Sequence, residues 1–546
     1  MGIWALDKVL VVLIGSILIL SSLGLSQEVF AQSPSVPDSY DLAFPVDEIF
    51  EEDFVASSGG QPAGTDVDTN LGGFEPHVAV NPLNSANVAV AQGSGLKLSS
   101  DGGATFPILV NALLPPSLQN QNPPYFFCGD PSLTFDSQGR LFWSYLTCSF
   151  DAQGNILDLS VAVLQVNPTT GATIGNAVDV TPGVIIDDKN WLASDANPAN
   201  LLTADNLYLV WARFDTQRVM FSMSTNQGAT WTVPQAISTG AEWFAWPPHV
   251  AVAPNGDVYA NYPTETCSTV GTVQVLRDTN GGAQLAAGAS FQKTAAFTGQ
   301  QSKVTCNVQH VAGSIPQTNF WLQGSAAAYT LPDPTTPGRI FVISNDDPNN
   351  SFGNGDDGDV VLATSNNDGL NWAVSTITGG PTGTHQVMPT GAIDQRGNIC
   401  VSWYDNRGGQ RNQGGNWLLD LFVTVSTDGG VSFVPDSQIN DVAFDPDANA
   451  PVRFFGPTNT LRIGEYNGIA ASNSLAYAAW TGNDASNMQE IFFDTFPCAI
   501  FAAIGGDMIQ METTSILAAG TQYTAAWMIP VIVSAIGIGI VIARKF

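Results

Sequence analysis

Several short, small or apolar segments of this chain are preceded by a polar group able to do chemistry. Glu75 stands in "GGFEPHVAV", Asp130 in "CGDPSLTF", and Glu465 with Tyr466 in "LRIGEYNG". Lys189 and His249 hold similar places in "DDKNWLAS" and "WPPHVAV". Arg213 ("LVWARFD") and Arg407 ("SWYDNRGG") end the strands that follow such segments, and Arg462 lies shortly before Glu465. A carboxylate near a phenol can draw off its proton and make it a nucleophile, and a second carboxylate can protonate a leaving group. Guanidinium forks match a carboxylate on a ligand. The same residue types also cap strands and fill solvated channels. Neighbours on a strand point to opposite faces, which counts against Glu465 and Tyr466 acting as a direct pair.

A second polar cluster is "NDDPNNSFGNGDDGD", residues 345–359. Asp346, Asp347, Asp356, Asp357 and Asp359 could wrap a Ca²⁺ ion, which takes about six to eight oxygens. The spacing is not that of an EF-hand loop, and a solvated acidic loop has the same composition. The stretch also holds the sequon Asn349-Asn350-Ser351. No other cofactor is called for.

The elements that must position these groups repeat. A small or apolar strand, a turn of Pro, Asn, Asp and Gly, and a strand rich in aromatic and β-branched residues recur seven times. The copies are 77–92, 132–146, 191–211, 249–262, 326–344, 390–404 and 468–480. Their central turns carry the residues that tight hairpins require. After the first, third, fifth and sixth copies comes another strand and then a motif: "SSDGGATF" (99–106), "MSTNQGATW" (223–231), "TSNNDGLNW" (364–372) and "VSTDGGVSF" (425–433). "VNPTTGAT" (166–173) is a worn version in the second copy. Four antiparallel strands repeated roughly every sixty residues predict an all-β fold, a β-propeller of four-stranded blades, with seven blades favoured and six as the alternative.

The motif is architectural. Asp101, Asn226, Asn367 and Asp428 offer short acceptors to backbone N–H groups in a tight turn. Gly103, Gly228, Gly369 and Gly430 can take a positive φ without steric cost. Ser99, Ser224, Ser365 and Ser426 can bond back across the turn, and Phe106, Trp231, Trp372 and Phe433 can bury their rings against the blade. Asp and Asn interchange between copies, a swap that a metal ligand or general acid would not tolerate.

Ser-x-Asp-x-Gly-x-Thr-Trp resembles the Asp-box, or BNR repeat, of sialidase-like β-propellers, over roughly residues 74–498. The resemblance implies Asp-box turns on an outer rim, remote from a central channel where ligands bind. It also implies an exo-α-sialidase site with three arginines on the substrate carboxylate, a Tyr nucleophile activated by Glu, and an Asp acid/base. A retaining mechanism can be drawn with Tyr466 as nucleophile, Glu465 or Glu75 as base and Asp130 as acid. Lys189, Arg213, His249, Arg407 and Arg462 would then bind the ligand. The family's Phe-Arg-Ile-Pro motif is missing, however, and "GGFEPHVAV" stands in its place. Seven hairpins exceed the six blades of that family, and ten arginines lie between the two hydrophobic ends.

Composition sets the compartment. Net charge is −31, from 48 acids against 17 Lys plus Arg, a field that repels nucleic acid and anionic surfaces. The apolar run "VLVVLIGSILIL" near Lys8, followed by "SQEVFAQ", predicts a signal peptide over residues 1–31. An acidic Pro/Ser-rich arm follows over 32–73, part of which could add a strand to the last blade. The propeller is placed at 74–498 and a connector at 499–524. Residues 525–546, apolar from Ala525 to Ala543 and closed by Arg544 and Lys545, predict one C-terminal transmembrane helix. That tail resembles the anchor of archaeal envelope proteins. The expectation is an exported protein anchored in the plasma membrane, propeller outside, binding a cell-surface glycan or envelope protein. Six cysteines outside the cell read as disulfides, most simply Cys128–Cys148, Cys267–Cys306 and Cys400–Cys498, with other pairings open.

Overall fold

The computed structural model describes residues 65–499, except 153–154, 241, 243–244, 265–270, 290, 300–319, 322–327, 347–357, 379–383, 414, 416, 447, 449–460, 463, 465 and 474. Of residues 299, 320–321 and 461–462 it describes the backbone alone. Strands pair into seven four-stranded antiparallel sheets. The first six are consecutive meanders, at 77–111 (blade 1), 125–179 (blade 2), 187–236 (blade 3), 249–299 (blade 4), 329–378 (blade 5) and 386–438 (blade 6). Blade 7 takes its three inner strands from 468–497 and its outermost from Val67–Gly72, which pairs with Gln489–Pro497. The innermost strand of each blade contacts that of the next, and the seventh returns to the first. The molecule is therefore a seven-bladed propeller closed by its N-terminal strand, one blade more than the six the sialidase resemblance implied.

Among the described residues no helix is long and apolar enough to cross a membrane. The expected signal peptide and C-terminal span lie outside the described residues. So do most of the connector and of the arm, although the arm's end supplies the closing strand.

The apolar core consists of seven interfaces rather than one centre. Each pair of neighbouring blades, including the seventh with the first, encloses its own cluster of buried side chains. Alternation along a strand serves two neighbours at once. In "LYLVW", Leu207, Leu209 and Trp211 pack on blade 2, while Tyr208 and Val210 pack on blade 4. Strands buried on both faces are mostly apolar, which is why these second strands read as near-continuous apolar runs, interrupted by buried polar residues such as Ser144, Asn261 and Ser402.

The fourfold motif makes one turn, four times, between the third and fourth strands of its blade. The Ser Oγ accepts the glycine N–H at 2.9 Å in all four copies. The Asp or Asn Oδ1 accepts the N–H four residues on, again at 2.9 Å. The glycines have φ of 98°, 78°, 81° and 80°, and the residue before each, Gly102, Gln227, Asp368 or Gly429, is also left-handed. Each aromatic ring joins the core shared with the preceding blade, as when Phe106 meets Phe493 edge-on at 5.0 Å. The turn in the second copy has the same location, with Asn167 Oδ1 accepting Thr169 and Thr170 N–H. Blade 4 substitutes a short helix, Ala283–Ala287, whose Leu285 fills the core shared with blade 3.

Two disulfides are described. Cys128–Cys148 ties the first two strands of blade 2, and Cys400–Cys498 ties blade 6 to the end of blade 7. Cys267 and Cys306 lie outside the described residues.

Candidate functional site

Four residues at or before the bends of the inner strands, Asp130 midway along a long one and the others close to the strand start, hold a left-handed backbone that side chains other than glycine rarely adopt. They are Glu75 (φ 66°), Asp130 (φ 48°), Lys189 (φ 51°) and Met388 (φ 53°). In blades 2, 3 and 6 the inner strand bulges there: register slips between Gly129 and Ser132, Asp188 and Trp191, and Val387 and Thr390. A bulge re-aims a side chain that regular pleating would turn into a neighbouring blade. Pro76, Pro131 and Pro389 follow directly, and a proline at a bulge gives up no ladder bond.

Left-handed backbone at Glu75, Asp130 and Lys189, with bulges at the latter two, brings groups from three successive blades to the axis with Tyr466 of blade 7. The Glu75 carboxylate lies beside Gly129, where a Cβ would stand 3.8 Å from its Oε2. On its other side Gly464 has φ +84°, and a Cβ there would meet Glu75 Cγ at 2.6 Å. Asp130 Oδ2 accepts the Lys189 N–H at 2.9 Å, and the Asp130 carbonyl accepts Asn190 Nδ2 at 2.8 Å. Asp130 thus clamps the bulge of the next blade. The Lys189 ammonium sits over the Tyr466 ring, 3.2 Å from its centroid, and 4.9 Å from that of Trp191. All four groups are sealed from solvent, at 4% exposure for Glu75 and Asp130, 2% for Lys189 and 1% for Tyr466.

Beneath this polar layer an aromatic layer crosses the axis. Trp191 is its hub, with ring centroids 4.8 Å from His77, 4.9 Å from His249, 5.6 Å from Tyr329 and 6.2 Å from Tyr466. His77 Nδ1 accepts the Leu133 N–H at 3.2 Å, so that nitrogen carries no proton. Burial first, and then the Lys189 cation, push His77 down to about 3. Burial, with His77 and Lys189 nearby, does the same to His249. Both imidazoles are neutral at physiological pH.

On the far side of the aromatic layer the channel widens into a cavity of about 320 Å³. Its walls run along the inner strands to Phe135, Val252, Pro332 and Ile393, where the strands turn into their first hairpins. In an antiparallel meander the first and third turns lie at the same end, so this well reaches the face that carries the motif turns.

The arginines are committed elsewhere. Arg213 makes two 2.8 Å bonds to Asp187, which faces it across the strand pair. Arg407 bonds Asp405 at 2.8 Å and Asp436 at 2.5 Å, and stacks on Phe422. These carboxylates hold both guanidinium groups above their ordinary range. Arg462 ends the two-residue strand Leu461–Arg462, which pairs in parallel with Phe320–Trp321, and its side chain is outside the described residues. Glu465 also lies outside them. Of the acidic loop, Asp346 and Asp359 face each other across a strand pair, while Asp347, Asp356 and Asp357 are outside. Among the described residues no cluster of three His, Cys, Asp or Glu could hold a metal ion.

Sequence reasoning missed Trp191, His77 and Tyr329 as axial groups. A signal was present: His77, Trp191 and His249 open their hairpin copies, and "HVAV" occurs twice. What the strand pattern lacked was a reason to turn those first residues towards the axis.

No protein-family profile matches the chain, and no protein of curated function matches it in sequence. Solved structures with a similar trace include an α-L-arabinofuranosidase of Fusarium graminearum, at 11% identity and TM-score 0.34, over 54% of this chain and 90% of that one. Trypanosoma rangeli sialidase aligns at 12% identity and TM-score 0.35, over 80% of this chain and 58% of its own. A Dyadobacter fermentans protein of unknown function aligns at 10% and 0.37, over 67% and 93%. At such identities and TM-scores these likenesses decide nothing about activity.

Proposed function

We propose that this is an exported, membrane-anchored, sialidase-like propeller that binds glycan in the cell envelope through its axial channel. The observation that carries the reading is the axial layer: an indole hub ringed by neutral imidazoles and phenols, with Arg213 and Arg407 neutralised by aspartates. Aromatic faces and uncharged polar groups suit a neutral sugar ring, and a net charge of −31 disfavours an acidic one. The test is an ectodomain, residues 32–524, on a glycan array. Retention of neutral glycans, lost in Trp191→Ala, is expected. Selective retention of sialylated glycans, or retention of none, overturns the reading.

A second reading is an exo-glycosidase on the same scaffold, favoured by two carboxylates at strained backbone positions in neighbouring blades, Glu75 beside Gly129 and the adjoining Asp130. Two carboxylates can cleave a neutral glycoside without arginines. In that reading Asp130 is the acid and Tyr466 or Glu75 faces the anomeric carbon. Turnover of neutral aryl glycosides that disappears in both Glu75→Gln and Asp130→Asn would establish it over simple binding. Sialoside turnover is expected to be absent.

A further inference from the structure

The well on the motif-turn face is separated by the aromatic layer from the polar layer of Glu75, Asp130 and Lys189. We propose that this well is itself a binding site, and that it takes the terminal ring of a neutral sugar entering from the motif-turn face. The proposal rests on the glycan reading and assigns that glycan a face and a set of contacts, on the side of the aromatic layer opposite Glu75 and Asp130.

Four observations support it. At about 320 Å³ the well falls within the size range of small-ligand pockets and is larger than water alone requires. No Asp, Glu, Lys or Arg lines it, so a charged ligand would be desolvated there without a counter-charge. Its floor is Trp191, partly exposed although the rings around it are buried, which offers a flat apolar face to the C–H side of a pyranose. Finally, two buried polar groups on the lining have no hydrogen-bond partner, His249 Nδ1 and Thr330 Oγ1. Buried polar atoms are nearly always satisfied, and both of these are closed off from the well as the side chains stand, so a guest completes them only when the side chain turns towards it. Hydroxyls of Thr134, Ser194 and Thr390 line the same wall. Neutral His249 can either donate to or accept from a sugar hydroxyl, according to its tautomer.

The experiment uses the ectodomain and methyl glycosides of glucose, galactose, mannose and N-acetylglucosamine, with binding read by saturation-transfer NMR and Trp fluorescence. Ala251→Phe fills the well without removing a polar group, and Thr330→Val removes one orphan at nearly constant volume. Thermal unfolding of each variant confirms that it folds. Binding of one or more glycosides is expected, abolished by Ala251→Phe and weakened about tenfold by Thr330→Val, the loss of one good hydrogen bond. Glycoside binding that survives Ala251→Phe but is lost in Asp130→Asn would overturn the well and leave the glycan reading standing. Array glycans retained by folded Ala251→Phe as by wild type would do the same. No glycoside bound and no array glycan retained would overturn both.

Discussion

Asp101 and Asn226 close the same turn by opposite uses of one hydroxyl. Thr105 Oγ1 donates to Asp101 Oδ2 at 2.6 Å, whereas Thr230 Oγ1 accepts from Asn226 Nδ2 at 2.8 Å. A hydroxyl can do either, so the chain tolerates both residues there. Asp101→Asn should therefore leave the urea midpoint at pH 7 nearly unchanged. The glycines are less forgiving. Gly228→Val should cost about 1–2 kcal/mol from the left-handed backbone alone, since its Cβ would make only ordinary contacts, with Leu207 at 3.5 Å and Val163 at 3.8 Å. Gly103→Val should cost more, because its Cβ would stand 2.1 Å from the Phe493 ring of blade 7. Equal midpoints for the two variants would contradict the interblade contact. The axial histidines predict a pH effect. Their folded values, about 3, lie below the ordinary 6.5, so unfolding takes up protons between those limits. The stability this confers is complete above pH 6.5 and lost as pH falls towards 3. His249→Gln should make that acid limb shallower in urea titrations.

At the scale of the element, the closing strand carries the opposite dependence. Asp66 just precedes it and exchanges backbone N–H bonds with Asp441, each carboxylate accepting from the other's amide. Burial, with Asp441 adjacent, raises Asp66 to about 7. Glu490, which pairs with Gly72, is raised to about 7 by burial and then by Asp68 and Asp484. For an acid raised on folding, stability is fullest below the ordinary range near 4 and is lost as pH rises through 7. Asp66→Asn with Glu490→Gln should thus stabilise the propeller at pH 8, by about 1 kcal/mol after allowing for solvent screening, and not at pH 5. Chemical denaturation at the two pH values checks the sign. The disulfide between blades 6 and 7 supports the same closure. Replacing Cys400 and Cys498 by Ser should cost about 2–4 kcal/mol, measured as a drop in denaturation midpoint.

For the whole molecule, closure completes the core, because each blade presents two apolar faces and the first and seventh blades would each leave one of them bare in an open ring. Deleting residues 65–72 would leave Gln489–Pro497 as an unpaired edge and open the ring. Aggregation or loss of a single cooperative transition is expected. A monomeric variant with wild-type unfolding would contradict the closure.

The seven hairpins and the fourfold turn could be read from the amino-acid sequence because their causes are local. A two-residue period, a turn glycine and an acceptor two residues after a serine all act within about ten residues. Counting those units was enough to favour seven blades. The axial site was only partly legible. Glu75, Asp130, Lys189 and Tyr466 do meet, but the bulges that turn three of the inner strands are seen only in pairing register with the second strands. The fate of the arginines was hidden for the same reason, since Arg213 finds Asp187 across a strand pair and Arg407 finds Asp436 across its blade. Trp191 becomes the hub, and the well forms beside it, only when strands from all parts of the chain converge on one axis. Local chemistry determined the repeating unit; ring closure decided which of its side chains face a ligand, because that depends on contacts between residues far apart in the chain.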